Sequence, residues 1–418
     1  MIKVPRVLVE PSDYLIRNAG DTAMMQVGLK RLSDLLPGAH IQVFSDEPEA
    51  FPFTTHNLEA VTTEGRHYWF QSPWNVERVL RLGRVGSYAR AYLRRNYPNL
   101  SLALMHRFNG ATGCELRAID EFFEMVCAAD LLVVTGMGGI TDAFPGYAQQ
   151  LLEVVRMAQK AGARTAMLGQ GLGPLKDRKL RRLASDTLPH LDILALREGS
   201  ASLHLAQELG VPRDCIEVTG DDAIELALSN DSPLLGRGLG VNVRAANYSE
   251  VNDLDIQRLR PILQDAARRL RTQLVPVPIS WEGDVATLGR LLAGSISTCD
   301  AGATLETPSG VVAQVRQCRV LVTGSYHAGV FALANGIPTL GLVRADYYRD
   351  KFRGLAGMFP SGCVIVDLDD PRLEEHLESA IMQAWASAEE LGTVLRSAAQ
   401  QQLERSRAVY AKLPALVQ

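Results

Sequence analysis

At 418 residues, with 47% hydrophobic and 22% charged side chains, the chain is long enough for two or three domains and has the balance of a globular protein. Its formal net charge of −4 excludes a general nucleic-acid binder, which needs an overall basic footprint to neutralise phosphates. The six cysteines show neither CxxC nor CxxH spacing and no stretch reaches the roughly 18 apolar residues of a membrane span, so we expect reduced thiols, a cytoplasmic setting and no standard secretion signal.

Residues 6–10 read as a strand, and a loop through Asn18, Gly20 and Asp21 leads into an apolar-periodic helix over 22–36. Asp21 is placed to cap that helix, and Asn18 with Asp21 would equally suit the border of an anion or of a ribose-like hydroxyl. A second strand follows at 41–45. Between Arg66 and Arg107, eight arginines stand against one acid, Glu77, with Tyr68, Trp69, Phe70, Trp74, Tyr88, Tyr92 and Tyr97 interleaved. This composition predicts an insertion over about 64–115, too polar for core. It would either present a solvated helical face or hold an anionic acceptor or a lipid surface.

The apolar run 131–135 is a strand of the kind buried on both faces of a parallel sheet. The glycines after it, including Gly138 and Gly139, allow either close approach of a ligand or tight strand-to-helix packing. A helix over 147–161 stops at Gly162, and a short strand at 165–168 runs into Gly169-Gln170-Gly171. Then come a strand at 192–196 followed by Arg197, a helix capped by Ser200, and a strand at 215–219 followed by Gly220-Asp221-Asp222. Right-handed crossovers would line these strand ends along one sheet edge, where open α/β sheets bind ligands. Arg197 at that edge suits a phosphate or carboxylate, with a surface salt bridge as the plain alternative.

Ser229 to Gly238 has linker composition, after which strand and helix alternate again. Strands are expected at 239–243, followed by Arg244, and at 274–279, followed by Glu282, with helices at 255–270 and 285–293. The stretch 320–343 reads as strand, break, helix and strand: Ser325 and His327 sit at the break, and Gly336 supplies the left-handed C-cap. Residues 347–354 form a basic aromatic loop containing Lys351, 363–367 a last strand, and the remainder is helical. The expected fold class is α/β, with two doubly wound Rossmann-like domains facing across a cleft. They cover 1–232 and 233–390, and a helix over 391–418 reaches back to the first.

His327 is therefore expected at a strand end and at the N-terminus of the next helix, a place that attracts anions. The same helix dipole disfavours an imidazolium until an anion binds beside it. Taken alone, a helix-cap histidine is the plain alternative.

Two α/β halves of this kind resemble the B-type glycosyltransferase architecture. More specifically, the chain resembles the polysaccharide pyruvyl transferase family. The matching pieces are NAGD at 18–21, LLVVTGMGGITD at 131–142, GQGLGP at 169–174, LREGSASLHLAQELGV at 196–211, DDA at 221–223, GVNVR at 240–244, SYHAGVFALANGIPTLGL at 325–342 and KFRGL at 351–355. They span nearly the whole chain in family order. The resemblance implies a transferase that moves an enolpyruvyl or pyruvyl unit from phosphoenolpyruvate to sugar hydroxyls, usually as a ketal. Phosphoenolpyruvate is then a co-substrate, and neither a metal nor an organic cofactor is implied. His327 would be the catalytic acid, with Arg197, Arg244, Lys351, Gly138 and Gly139 at the donor. Asn18, Asp21, Gln170, Asp221, Glu282 and Ser325 would line the rest of the cleft. The partner is a sugar or glycan acceptor, lipid-linked or not, and peripheral membrane contact at the inner face is compatible with the basic lobe.

Two departures stand out. Ser325 replaces a family arginine two residues before the histidine, and Arg17 replaces a glycine ahead of Asn18. Loss of the first removes a carboxylate or phosphate ligand, which Arg344 or Arg349 could replace. Two other functions fit the same residues: a nucleotide-sugar glycosyltransferase, and a non-catalytic glycan-binding homologue.

Overall fold

The computed structural model describes residues 3–53, 55–71, 83–108, 112–228, 235–295 and 301–417. The first half contains strands β1 (Arg6–Glu10), β2 (His40–Ser45), β3 (Leu58–Thr62), β4 (Leu131–Val134), β5 (Met137–Ile140), β6 (Arg164–Leu172), β7 (Ile193–Leu196) and β8 (Ile216–Val218). They form one parallel sheet in the order β3-β2-β1-β4-β6-β7-β8, with β5 alongside β6. The second half contributes β9 (Gly238–Asn242), β10 (Leu274–Pro276), β11 (Cys318–Thr323), β12 (Thr339–Val343) and β13 (Cys363–Asp367), parallel in the order β10-β9-β11-β12-β13. The protein is thus two doubly wound α/β units. The expected boundary at 232/233 lies outside the described residues.

Buried parallel strands read as continuous apolar runs, and β4 (LLVV), fully buried, is an example. Where glycines intervene the strand reading falls short. The turn expected after β4 is β5, and β6 does not stop at Leu168 but continues through Gly169, Gln170 and Gly171 to Leu172. Gly169, at φ +60°, makes the irregularity that lets β6 pair with β4 in its first half and β5 in its second.

Several helix ends also differ from expectation. Asn18, not Asp21, caps the helix Ala19–Leu35: its Oδ1 accepts from the backbone N–H of Gly20 and Asp21 at 3.0 and 3.2 Å. That leaves the Asp21 carboxyl free for the cleft. Ser200 makes no side-chain cap for Ala201–Glu208; Glu198 accepts from Ser200 N and Ser202 N instead. The expected basic aromatic loop at 347–354 is the middle of a helix, Asp346–Met358, because its apolar residues recur at helical spacing: Tyr348, Phe352 and Leu355 are buried.

The lobe after β3 is four described helices, Glu64–Gln71, Gly83–Asn96, Pro98–Phe108 and Gly113–Ala128. Trp74 and Glu77 lie outside the described residues. Its composition led us to expect a lobe too polar for core, yet it contributes to one: Trp69 is fully buried, and the Arg66 guanidinium is buried against Glu10 at 2.9 Å, its charge paired.

The two units share an apolar interface. Ala19, Ala23, Met24, Ala223, Ile224 and Ala227 from the first pack with Phe331, Leu333 and Tyr347 from the second. This explains why helix Tyr326–Ala334 is buried at all nine positions, with no solvent face to carry charges. The closing helix is not a separate element from 391. It runs unbroken from Leu373 to Tyr410 and ends on the first unit. There Asp222 receives Arg31 at 3.0 Å, Ser406 at 2.6 Å and Tyr410 at 2.8 Å.

Candidate functional site

A cavity of about 320 Å³ lies between the units. The first contributes Ser12, Asn18, Asp21, Gly138, Gly139, Phe144, Tyr147 and Arg197; the second contributes Arg244, Tyr248, Ser325, Tyr326, His327, Tyr347, Tyr348 and Lys351. Nine of the residues singled out from the sequence therefore meet here: Asn18, Asp21, Gly138, Gly139, Arg197, Arg244, Ser325, His327 and Lys351.

Arg197 follows β7 directly and is 3% exposed. Its Nη1 lies 3.6 Å from Asp221 Oδ2, its guanidinium stacks 4.1 Å over the Tyr326 ring, and Nη1 and Nη2 make no hydrogen bond. A buried guanidinium with unused donors is costly unless a ligand completes it. The glycines make room for it: a Cβ on Gly138 would lie 2.6 Å from Nη2, and one on Gly171 would lie 2.7 Å from Nε. Gly139 likewise clears the Tyr147 ring at 2.7 Å. These glycines admit side chains of the protein itself.

Arg244 follows β9 by two residues. It is held by Asp284 (Nη1 to Oδ1, 2.8 Å) and by the Tyr248 hydroxyl (Nη2, 2.6 Å). Asp284 also accepts from Asn242, Ile279 N and Ser280 N, so this cation is firmly positioned. Lys351 projects from the first half of helix Asp346–Met358, with Nζ 4.0 Å from the Tyr347 ring centre and 5.5 Å from that of Tyr348. Burial, then Arg197, push its ammonium well below the ordinary value.

His327 is held at the start of its helix with Nε2 unbonded and 3.7 Å from Asp221 Oδ2. Burial, followed by the charges of Arg197, Lys351 and Arg244, drives its pKa well below that of free imidazole, so the ring is neutral. Asp21 shifts the other way: burial and then Asp13 raise its carboxyl to about 7 against the pull of Lys351 and Arg197. Behind the cavity wall Asp221 is raised to about 6, mainly by burial.

Three expected cleft residues do not line the cavity. Gln170 is fully buried and clamps the β6 irregularity, donating to Thr135 O and Leu168 O at 2.7 and 2.8 Å. Asp221 stands behind Arg197 and His327. Glu282 is an exposed partner of Arg17 at 2.8 Å; together they bridge the units where Asn18 pairs with Ser280. Arg344 and Arg349 are also elsewhere, tied to Asp255 at 2.7 Å and to Asp367 at 2.7 Å. Neither replaces the arginine missing at Ser325.

The sequence reading missed the aromatic wall. Tyr248 stacks on Tyr348 (6.2 Å, 16°), and Phe144 meets Tyr248 at 5.1 Å and Tyr347 at 5.8 Å. The only signal was the Tyr347-Tyr348 pair just before Lys351. Among the described residues, no group of three or more His, Cys, Asp or Glu side chains could hold a metal ion, and no helix is long and apolar enough to cross a membrane.

A sequence model of the family described as polysaccharide pyruvyl transferase matches residues 18–346. No curated protein matches the chain significantly. Among solved structures, a Listeria monocytogenes protein described as a UDP-N-acetylglucosamine 2-epimerase aligns with TM-score 0.56 at 12% identity, covering 99% of this chain and 96% of its own. The glycotransferase of kitacinnamycin aligns with TM-score 0.54 at 11% identity over 100% of both chains. The calicheamicin glycosyltransferase CalG4 aligns with TM-score 0.52 at 12% identity, covering 99% of this chain and 98% of its own. At such identities the likeness is one of fold: two Rossmann-like domains arranged as in B-type glycosyltransferases.

Proposed function

The chain belongs to the polysaccharide pyruvyl transferase family, and we propose on that footing that it transfers the pyruvyl unit of phosphoenolpyruvate to two hydroxyls of a sugar. The observation that carries this reading is the meeting of Arg197, Arg244 and Lys351 around His327 in one cavity closed by both units. Three cations suit a small ligand that bears both a phosphate and a carboxylate. The aromatic wall of Tyr248, Tyr347, Tyr348 and Phe144 offers the acceptor a flat apolar face.

In this scheme a proton adds to the methylene carbon and leaves a cation at C2, which one hydroxyl attacks. Phosphate departs from C2 and the second hydroxyl closes the ketal. Of the two hydroxyl protons released, one balances the proton on the methyl group and the other leaves with phosphate. His327 is the proposed acid. Neutral in the empty cavity, it gains its proton when the donor's negative charge offsets Arg197, Lys351 and Arg244. Asp21 favours a second assignment: a cavity carboxyl that holds a proton near neutral pH would protonate the methylene, and neutral His327 would take the hydroxyl proton.

Because phosphoenolpyruvate is a cytoplasmic metabolite, we assign the reaction to that compartment, at the inner membrane face when the acceptor is lipid-linked. Calorimetry with phosphoenolpyruvate, UDP-sugars and GDP-sugars tests the donor. Binding of phosphoenolpyruvate alone is expected. Binding of a nucleotide sugar instead would make this a glycosyltransferase, and binding of neither would leave a glycan-binding homologue.

A further inference from the structure

Four buried polar atoms behind the cavity wall lack a hydrogen-bond partner: Nη1 and Nη2 of Arg197, Oδ2 of Asp221 and Nε2 of His327. They are neighbours. Oδ2 lies 3.6 Å from Arg197 Nη1 and 3.7 Å from His327 Nε2, both just beyond hydrogen-bond reach, so a movement of about half an ångström closes either contact. Buried polar groups are nearly always paired, and a cluster left unpaired marks a place where function rather than packing sets the arrangement.

The turn that carries Asp221 is pinned on both sides. Gly220, at φ +91°, brings the chain so close to the closing helix that a Cβ there would lie 2.5 Å from Gln402 Oε1, and Asp221 Oδ1 accepts from Ala223 N at 2.9 Å. The next residue, Asp222, has both carboxyl oxygens taken, Oδ1 by Arg31 and Ser406 and Oδ2 by Tyr410. Asp221 alone keeps an oxygen free. That oxygen meets Arg197 from the end of β7 and His327 from the helix Tyr326–Ala334, while Tyr326 closes the group with its ring 4.1 Å from the guanidinium and 5.2 Å from the imidazole. Asp222 and Lys351 are the other charges that act on it. Burial raises the Asp221 carboxyl to about 6 against the pull of Arg197, so above neutral pH it is ionised and accepts hydrogen bonds only.

We propose that Asp221 is the positioning residue of the catalytic histidine: its Oδ2 takes the proton on Nε2 and so fixes the tautomer in which Nδ1 exchanges a proton with the substrates. Nε2, shut off without a partner, faces no other acceptor. Arg197 is the competing claimant on the same oxygen. An anion in the cavity engages the unused Arg197 donors and leaves Asp221 to His327, which links arrival of the donor to charging of the imidazole. The proton exchange rests on the pyruvyl-transfer reading; the tautomer does not.

The test is nuclear magnetic resonance of the full chain at pH 8 with histidine labelled in the ring, the His327 signals being identified by their loss in His327→Gln. The empty protein should show the Nε2–H tautomer. Asp221→Asn, equal in size, should shift the tautomer ratio by at least about tenfold towards Nδ1–H and lower kcat by at least about a hundredfold, as expected for a misoriented imidazole. The KM for phosphoenolpyruvate should rise no more than about twofold, because removing a carboxylate leaves Arg197 freer for the anion. An Nδ1–H tautomer in the parent protein overturns the proposal whether or not the variant folds. An unchanged tautomer in the folded variant overturns it too, as does a loss of kcat matched by a tenfold rise in KM, the mark of a packing role. If the tautomer responds as expected but phosphoenolpyruvate does not bind, the donor assignment fails and the hold of Asp221 on His327 stands.

Discussion

The ring of His327 rests against the backbone of Gly20: a Cβ at position 20 would lie 2.0 Å from its Cγ and Nδ1. A residue of the first unit thus sets the position of the side chain we place at the centre of the chemistry in the second. Gly20→Ala should push the buried imidazole out of place and lower turnover by about two powers of ten, as expected for misplaced catalytic groups. Adding it to His327→Ala should cost little more, since both act on one group. Steady-state kinetics of the two single variants and the double variant check this; full additivity would mean that Gly20 acts elsewhere.

His327→Ala should reduce kcat by about two to four powers of ten and leave phosphoenolpyruvate affinity within several-fold, because acid catalysis acts in the transition state. Asp21→Asn separates the two assignments of the acid. A loss comparable to that of His327→Ala, measured as solvent-proton incorporation into the methyl group, points to Asp21 as the proton donor. Near-full activity of His327→Ala would refute both.

Donor binding should take up protons. In the empty cavity the pKa values of His327 and Lys351 are depressed, first by burial and then by neighbouring cations, while that of Asp21 is raised to about 7. An arriving anion shifts all three upward, so the complex binds more protons than the free protein. Affinity then falls as pH rises, by up to about tenfold per pH unit for each proton taken up. Calorimetry in two buffers of different ionisation enthalpy gives the sign; proton release would contradict the assignment.

Ser325→Arg restores the family residue but places a second guanidinium at a buried position beside Arg244, whose backbone N lies 2.9 Å from the Cβ position of the adjoining Gly324. Arg244 already holds Asp284 and Tyr248, so the newcomer lacks a partner until the donor binds. The variant should melt lower than the parent when empty and recover much of the difference with phosphoenolpyruvate present. A lower melting temperature with no recovery would indicate a cavity rebuilt for another donor.

Arg31→Ala should destabilise the protein by about 3–5 kcal/mol, the usual cost of leaving a buried carboxylate without its cation. Asp222 would keep only Ser406 and Tyr410 from the closing helix. Denaturant unfolding measures it, and a loss below about 1 kcal/mol would mean the pair is solvent-compensated.

The order of strands and helices was largely legible in the residues themselves. Runs such as 131–134 and 320–322 are apolar because they are buried on both sheet faces, and that burial is written locally. So were the two sheet edges, one ending in Arg197 and the other in Arg244 and His327, since parallel crossovers bring the strand ends of each sheet together whatever the intervening sequence. What tertiary structure alone decided is that the two edges face each other and which of the flagged groups share the cavity between them. Gln170 and Glu282 carry the same chemistry as true cavity residues, yet one clamps a strand irregularity and the other clasps Arg17 at the surface. Gly138 and Gly171 look like ligand-cradling glycines but clear space for Arg197, a contact set by β5, β6 and β7 lying side by side. The aromatic wall joins Phe144, Tyr248 and Tyr348 from three distant stretches, and no periodicity in any one of them records where the others will be. Protonation belongs to the same class: the neutral His327 and the raised Asp21 follow from burial and from charges delivered by other strands, which local sequence does not encode.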